Sequence, residues 1–254
     1  MISRLPGLDG LRGIAVLAVI IYHADISALV GGFLGVDVFF VLSGFLITNL
    51  LLAELARTNT INRKNFYLRR IRRLLPALIL VLIASVLVSG LVVTDAAYQV
   101  RRDLPWAITF ALNWSYLFFE ESYFLSISRP PLLQHLWSLS IEEQFYVIWP
   151  LLIIGLYKLP LWRATPRQKI FALSLGLALA STAWMMYLSI SNGFPIPNDP
   201  SRVYFGTDTH AMGLLIGCAT AALWRSEKLS RNLTPDRATA MNGVGLLCLS
   251  GIAY

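Results

Sequence analysis

The chain has 254 residues, of which 56% are hydrophobic and only 14% are charged, and its mean hydropathy of +0.64 excludes an ordinary soluble domain. The net charge of +7 does not indicate nucleic-acid binding, because fifteen of the 21 Lys and Arg residues fall in three short segments between apolar runs, 57–73, 158–169 and 225–237. This distribution is typical of the cytoplasmic loops of a membrane protein. We therefore predict an all-α fold, a polytopic membrane helix bundle.

Apolar runs of about the length needed to cross a bilayer recur along the chain. The predicted spans, in chain order, are 11–29, 34–52, 74–93, 136–157, 170–190 and 208–224. The shorter stretch 104–119 is predicted to be re-entrant or interfacial, because a full crossing would place the basic 158–169 loop outside, against the positive-inside rule. This topology puts the N-terminus in the cytoplasm.

The final apolar run starts near residue 240 and reaches only to residue 254. A spanning helix needs about 20 apolar residues, and this run is shorter. We therefore expect residues 1–254 to form one membrane domain that is incomplete, with C-terminal helices missing and no separate soluble domain.

The first predicted span carries two ionisable residues on one face. Arg12 and His23 are eleven positions apart, so a helix returns them to the same face, about 16 Å apart along its axis. Arg12 would then lie near the membrane surface and His23 roughly halfway across, where ionisable groups are costly and usually functional. A neutral imidazole is well suited to accept a proton from a hydroxyl. A structural histidine and a simple basic anchor are the alternatives.

Four arginines, Arg69, Arg70, Arg72 and Arg73, lie within five positions just before the third predicted span. Charge alone allows them to be a cytoplasmic anchor. On a helix, however, Arg69 and Arg72 share one face, as do Arg70 and Arg73, so either pair can hold a polyphosphate by bidentate contacts. This spacing favours a nucleotide-bearing cofactor such as coenzyme A over lipid headgroups.

Two acidic residues lie at or inside apolar segments. Glu142 is near the start of the 136–157 span, where the helix dipole favours an acid even without function; alternatively, it orients a histidine or binds an acceptor hydroxyl. Asp37 lies inside the second predicted span and needs a partner, His23 or an arginine being the natural ones. Gly35 and Gly44 on the same span indicate close packing against neighbouring helices.

A further acid and histidine, Asp208 and His210, open the last predicted span. Either Thr207 or Asp208 can cap the helix that begins there. The alternative is a functional role for the acid and the histidine, as for Glu142.

Four motifs occur in an order that resembles the bacterial membrane acyltransferase-3 family, whose members O-acylate cell-surface polysaccharides, peptidoglycan and some antibiotics. The motifs are Leu-Asp-Gly-Leu-Arg-Gly with the later Tyr-His at 8–23, Gly-Val-Asp through Ser-Gly-Phe at 35–45, the arginine cluster before Leu-Leu-Pro at 69–76, and Trp-Ser-Leu-Ser-Ile-Glu-Glu-Gln-Phe-Tyr at 137–146. The resemblance covers essentially the whole chain. It implies a bundle of about ten helices, of which this chain supplies seven or eight.

The resemblance also implies roles for individual residues. His23 is similar to the family's catalytic histidine and Arg12 to the arginine paired with it. The cluster Arg69, Arg70, Arg72 and Arg73 is similar to the family's cofactor element, and Glu142 to the acid of its helix motif.

The sequence therefore predicts an O-acyltransferase in the inner membrane of a bacterium, with an acyl-CoA, acetyl-CoA being expected, as the cytoplasmic donor and without a metal. Its partners would be the lipid bilayer and a carbohydrate or glycolipid acceptor, not nucleic acid. His23 would act as general base or hold the acyl group briefly, Asp37 or Glu142 would fix its tautomer, and Arg12 with the arginine cluster would hold the donor's phosphates. The rival hypotheses are a proton-coupled transporter or flippase of saccharide or anionic substrates, and an inert remnant.

Overall fold

The structure, a computed structural model, describes residues 6–24, 27–124, 129–159 and 164–224, and these residues are mostly helical. No β-strand occurs among them. The α-helices are α1 (Pro6–His23), α2 (Gly35–Thr58), α3 (Arg63–Leu91), α4 (Ala97–Ile108), α5 (Leu112–Phe118), α6 (Leu136–Lys158), α7 (Pro166–Asn192), α8 (Ser201–Phe205), α9 (Thr207–His210) and α10 (Met212–Leu223). Two 3₁₀ helices, Ser27–Leu34 and Thr94–Ala96, connect them.

Four helical segments within this described part are long and apolar enough to cross a membrane: Gly31–Thr58, Arg63–Leu91, Leu136–Lys158 and Pro166–Asn192. Their outer surfaces carry many exposed aliphatic side chains, for example Leu80, Ile83 and Leu87 on α3. Such a surface is stable against lipid and costly in water. The predicted all-α fold of a polytopic membrane protein is confirmed.

The first helix differs from the prediction, because α1 ends at His23 rather than continuing to residue 29. The following 3₁₀ helix, Ser27–Leu34, folds back onto α1, and Gly32 makes this possible because a Cβ there would collide with the Ala18 carbonyl and Tyr22. His23 is therefore an exposed residue at the end of a helix, so the predicted single helix over 11–29 is wrong, whereas the depth of His23 in the membrane stays a prediction.

The apolar stretch 104–119 does not form one helix. It contains the end of α4 and all of α5, which are separated at 109–111, where Phe110 has a positive φ of 53°. At about 1.5 Å per residue, neither helix is long enough to cross a bilayer alone. This is the arrangement expected of a re-entrant or interfacial segment, although its position relative to the membrane stays a prediction.

The predicted span 208–224 is also interrupted, and as a single helix it is wrong. The chain forms α8 and α9 before the 12-residue α10 begins at Met212. Gly206 is extended between α8 and α9, and the Thr209 hydroxyl donates hydrogen bonds to the carbonyls of Val203 and Gly206. These side-chain bonds to backbone carbonyls compete with a continuous helix. Residues 225–237 and the apolar run 240–254 lie outside the described residues.

Contacts divide the chain into two compact units. The first comprises 1–53, 167–175 and 213–254, and the second comprises 54–166 and 176–212. The first therefore holds α1, most of α2 and α10, whereas the second holds most of α3 to α9. The expectation of a single, incomplete membrane domain stays a prediction.

In the first unit, α2 and α10 cross at a contact between small residues. A Cβ on Gly44 would meet the Leu214 carbonyl, and a Cβ on Gly217 would meet the Val41 carbonyl. The Cys218 thiol lies 3.4 Å from the Gly44 carbonyl oxygen at the same contact. Gly35 makes a comparable approach to the Ala15 carbonyl of α1. The close packing predicted from Gly35 and Gly44 is confirmed.

We expect Gly44→Ala to destabilise the protein by about 1–3 kcal/mol, because the added methyl group meets backbone that can yield only if the two helices separate. The measurement is the thermal unfolding midpoint in detergent. Gly155→Ala is the matched control, because among the described residues nothing beyond its own helical turn lies within 4 Å of a Cβ at Gly155. Equal midpoints for the two variants would contradict the crossing.

Candidate active site

His23 ends α1, and its ring is held by its own helix. Its Nδ1 lies 2.8 Å from the carbonyl oxygen of Val19, one turn earlier. A carbonyl can only accept a hydrogen bond, so Nδ1 carries a proton and Nε2 is the basic nitrogen of the neutral ring. The Val19 carbonyl thus fixes the tautomer, a role predicted above for Asp37 or Glu142. Arg12 lies on the same helix and is half-buried.

Asp37 lies in the first turn of α2 and is half-buried. A carboxylate at that position is stabilised by the positive end of the helix dipole, which gives the residue a structural reason to be acidic. Asp37 belongs to the same unit as Arg12 and His23. Its backbone is brought toward α1 by Gly35, two residues earlier, which packs on Ala15.

The arginine cluster lies within α3, which begins well before the predicted span. The Asn62 side chain caps this helix by accepting a hydrogen bond from the backbone N–H of Asn65 at 3.0 Å. Glu54 accepts a hydrogen bond from the Asn62 N–H at 2.8 Å and lies 3.9 Å from the Arg69 guanidinium. The helical spacing assumed for the four arginines is therefore present.

The four arginines do not share one environment. Arg69, Arg72 and Arg73 are exposed, whereas Arg70 is half-buried. The Arg70 Nε donates to Glu143 Oε1 at 3.4 Å, and its guanidinium lies over the Tyr146 ring, 3.1 Å from the centroid. Arg70 therefore joins α3 to α6, and using it to bind a cofactor would disturb this contact.

Tyr146 connects the surroundings of Glu142 and Glu143. The Tyr146 hydroxyl donates to Glu142 Oε1 at 3.3 Å, while Glu143 pairs with Arg70. Both acids are half-buried on α6. The sequence singled out Glu142 but contains no signal for Glu143 as the partner of Arg70, because the two are 73 positions apart and on different helices.

A polar network around Gln144 holds α5 and α9 against α6. Its Nε2 donates to the Phe110 carbonyl at 2.7 Å and to Asn113 Oδ1 at 2.9 Å, and its Oε1 accepts from the Thr207 hydroxyl at 2.7 Å and from Trp114 Nε1 at 3.1 Å. Satisfied networks of this kind rigidify a core. Gln144 thus supports both the break at Phe110 and the start of α9.

Asp208 follows Thr207 and binds Arg202 rather than capping a helix. Arg202 donates to both Asp208 oxygens, at 3.1 Å and 2.7 Å, and Trp184 Nε1 donates to Oδ2 at 2.8 Å. Burial raises the pKa of Asp208, but the hydrogen bonds from Arg202 and Trp184 outweigh it and hold the pKa below its ordinary value. No side-chain hydrogen bond caps α9, so the predicted cap by Thr207 or Asp208 is wrong.

The profile of the acyltransferase domain family, acyltransferase-3, matches residues 5–253, nearly the entire chain. The chain belongs to the acyltransferase-3 family. The resemblance drawn from the four motifs is thereby confirmed.

This acyltransferase-3 chain spans little more than a third of the length of the curated relatives described next. Peptidoglycan O-acetyltransferase OatA of Listeria monocytogenes is 40% identical over 245 residues, which is 96% of this chain and 38% of the relative. YrhL of Bacillus subtilis, provisionally named a peptidoglycan O-acetyltransferase, is 44% identical over 92% of this chain and 35% of its own length. A provisionally named O-acetyltransferase of Staphylococcus aureus is 45% identical over 90% of this chain and 36% of its own length. No solved structure matches the chain.

The predicted site residues of this acyltransferase-3 chain are distributed over both units. Arg12, His23 and Asp37 lie in the first, and the arginine cluster and Glu142 lie in the second. Within each unit, the structure supports the helical placement of these residues. Among the described residues, no three His, Cys, Asp or Glu side chains form a group that could hold a metal ion.

The Asp208 ion pair predicts an acid-dependent stability. The folded-state pKa of Asp208 is lowered, so its ionised carboxylate contributes to folding stability above the unfolded-state pKa of about 3.9. This stabilisation is lost as the pH falls through the folded-state pKa. We expect Asp208→Asn to lower the thermal unfolding midpoint at neutral pH and to differ less from wild type at low pH. Glu120→Gln, at an exposed carboxyl group, is the control. A difference that does not change with pH would contradict the assignment.

Proposed function

We propose that this chain is the membrane part of an O-acyltransferase that moves an acyl group, acetyl in the first instance, from acyl-CoA to a hydroxyl of a cell-envelope carbohydrate. The observation that carries this proposal is the similarity, over nine tenths of the chain or more, to proteins named O-acetyltransferases. Two of these names specify peptidoglycan, which makes an amino-sugar polymer the first acceptor to test. The family membership favours this reading over a transporter.

The exposed arginines of α3 support acyl-CoA as the donor. Arg69, Arg72 and Arg73 present guanidinium groups to solvent on one end of an apolar helix, and guanidinium binds phosphate bidentately. Arg70, already bound to Glu143, would keep that end of α3 attached to α6. These residues fit the several phosphates of coenzyme A.

Features at the start of α1 are consistent with a donor that has both charged and apolar parts. Arg12 is half-buried there, and an apolar cavity of about 380 Å³ is lined by Leu8, one turn earlier, together with Val41, Phe45 and Trp224. We assign Arg12 to the donor's phosphates and the cavity to its apolar arm.

His23 is assigned the chemical step. Its Nε2 takes the proton of the acceptor hydroxyl while that oxygen attacks the thioester carbonyl carbon. The C–S bond then breaks, the ester remains on the acceptor, and the proton passes from the imidazolium to the departing thiolate. The Val19 carbonyl, by holding Nδ1–H, keeps Nε2 as the basic atom. If His23 instead held the acyl group, the same nitrogen would be the nucleophile. Asp37 and Glu142 are assigned to the acceptor hydroxyl or to the charged imidazole.

The proposed setting is the inner membrane of a bacterium with the N-terminus in the cytoplasm. The basic segment Arg57–Arg73 carries seven Lys and Arg residues, and such segments stay on the cytoplasmic side. The 24 residues of α2 would then return the chain to that side from the end of α1 at His23. His23 would face the side on which envelope polymers lie.

The proposal is tested with membrane vesicles that contain the chain, acetyl-CoA labelled in the acetyl group, and a soluble N-acetylglucosamine polymer. We expect label to appear on the polymer as an ester that hydroxylamine releases. Vesicles without the chain are the control. Movement of the polymer across the membrane without labelling would favour the transporter, and neither labelling nor movement would favour an inert chain.

A further inference from the structure

Two exposed aromatic rings lie together near the end of α7. Trp184 and Tyr187 are one turn apart, and their rings are stacked, with centroids 5.4 Å apart and planes inclined by 19°. Trp184 is 44% exposed and Tyr187 is 60% exposed. Stacking covers the faces that the two rings turn toward each other, and much of the remaining ring surface is exposed. We call this exposed surface of Trp184 and Tyr187 the aromatic platform.

Charged groups border this surface. Trp184 Nε1 donates to Asp208 Oδ2 at 2.8 Å, and the same carboxylate accepts two hydrogen bonds from Arg202. The side chains of Arg202 and Asp208 remain 34% and 33% exposed. A guanidinium has five N–H groups and a carboxylate about four acceptor positions, so both can make additional hydrogen bonds to a molecule lying on the rings.

A membrane-interface belt is the simplest other explanation of exposed Trp and Tyr near a helix end. The ion pair argues against contact with hydrocarbon at this point, because two partly exposed charges in lipid would lose their hydration. Asp208 binds the Trp184 indole directly, so the ring and the ion pair lie at the same depth. The platform is therefore at a depth that polar groups can reach.

We propose that Trp184, Tyr187, Asp208 and Arg202 form a carbohydrate-binding subsite. The apolar C–H face of a pyranose ring would stack on the aromatic surface, while its hydroxyl groups bind the carboxylate and the guanidinium at the edge. An exposed aromatic ring face bordered by both an acceptor and donors matches a sugar, which presents a flat C–H face bordered by hydroxyls. The inference rests on the proposed function for its biological meaning, since it supplies the acceptor's binding site, but the binding itself requires no donor.

The test is calorimetric titration of the 254-residue chain in nanodiscs with an N-acetylglucosamine tetrasaccharide. We expect Tyr187→Leu and Trp184→Leu to raise the Kd about tenfold. Tyr187→Phe should leave the Kd nearly unchanged because the ring is kept. Tyr98→Leu is the matched control, since Tyr98 is a 76% exposed tyrosine on a different helix, α4.

The outcomes separate this subsite from the proposed function. Binding that is weakened by the two leucine variants, but not by Tyr98→Leu, supports the subsite even if no acetyl transfer is found. The proposal is overturned if wild type does not bind the tetrasaccharide or if all variants bind equally. The proposal is also overturned if the leucine variants bind the tetrasaccharide like wild type and alter only how the thermal unfolding midpoint depends on bilayer thickness. That result would identify an interface belt. Circular dichroism verifies that each variant folds. Tyr187→Leu is the decisive variant, because Tyr187 is the more exposed of the two rings.

Discussion

Replacing His23 by alanine is expected to reduce acetyl transfer by about 10²- to 10⁴-fold while the protein remains in the membrane, because it removes the group proposed to take the acceptor's proton. The ring is exposed at the end of α1, so its loss creates no cavity and should not unfold the chain. His23→Gln should be as inactive as His23→Ala, since an amide cannot accept a proton at neutral pH. The measurement is the rate of labelled ester formation on the polymer, normalised to the amount of membrane-inserted protein.

His135→Ala is the matched control. His135 precedes α6, is exposed, and has no assigned role in the reaction. We expect it to retain transfer close to the wild-type rate. Retained activity in both His23 variants would exclude His23 as base and as acyl carrier, whereas equal loss in His23 and His135 variants would point to a general effect of histidine removal on folding.

The triple variant Arg69→Gln, Arg72→Gln, Arg73→Gln is expected to weaken coenzyme A binding at least about 100-fold. Each exposed guanidinium can make charge-assisted hydrogen bonds to phosphate, and such a bond to a charged group contributes about 1.5–3 kcal/mol. Arg70 is left in place because its removal would strand the half-buried Glu143. The measurement is the coenzyme A concentration that raises the thermal midpoint halfway to its maximum.

A second triple variant separates a binding site from a merely basic surface. Arg57→Gln, Arg63→Gln, Lys64→Gln removes the same three charges from exposed positions in and before the start of α3. We expect at most a few-fold loss of coenzyme A binding, because charges farther from the phosphates are screened. Equal losses in the two triple variants would show that net charge, not the spacing of the cluster, attracts the cofactor.

Helical spacing is a local property, and the sequence predicted it well. The placement of Arg12 with His23 on one helix, the helical register of the arginine cluster, and the small-residue packing at Gly35 and Gly44 all follow from a period of 3.6 residues and from side-chain size. Helix ends were harder to predict. The end of α1 at His23 depends on the 3₁₀ helix that folds back through Gly32, a contact that apolar periodicity does not record.

Pairs between side chains on different helices were not predictable from one sequence. Arg70 selects Glu143 rather than Glu142, and Asp208 binds Arg202 and Trp184 instead of capping α9. Both choices depend on how neighbouring elements rotate about their axes, and adjacent side chains on one helix point about 100° apart. No pattern within either helix reveals which side chain the rotation brings to a partner.

The sequence by itself determined that this is an all-α membrane protein of the acyltransferase-3 family, because composition, charge bias and motif order are written along the chain. Only the tertiary structure decided which arginines remain exposed, which nitrogen of His23 is basic, and which charged pair borders the aromatic platform on α7. The physical reason is that crossing a bilayer requires apolar runs of sufficient length, and the length of such a run can be read directly along the sequence. Hydrogen bonds and ion pairs need atoms within about 3–4 Å of each other, and only folding brings such atoms together.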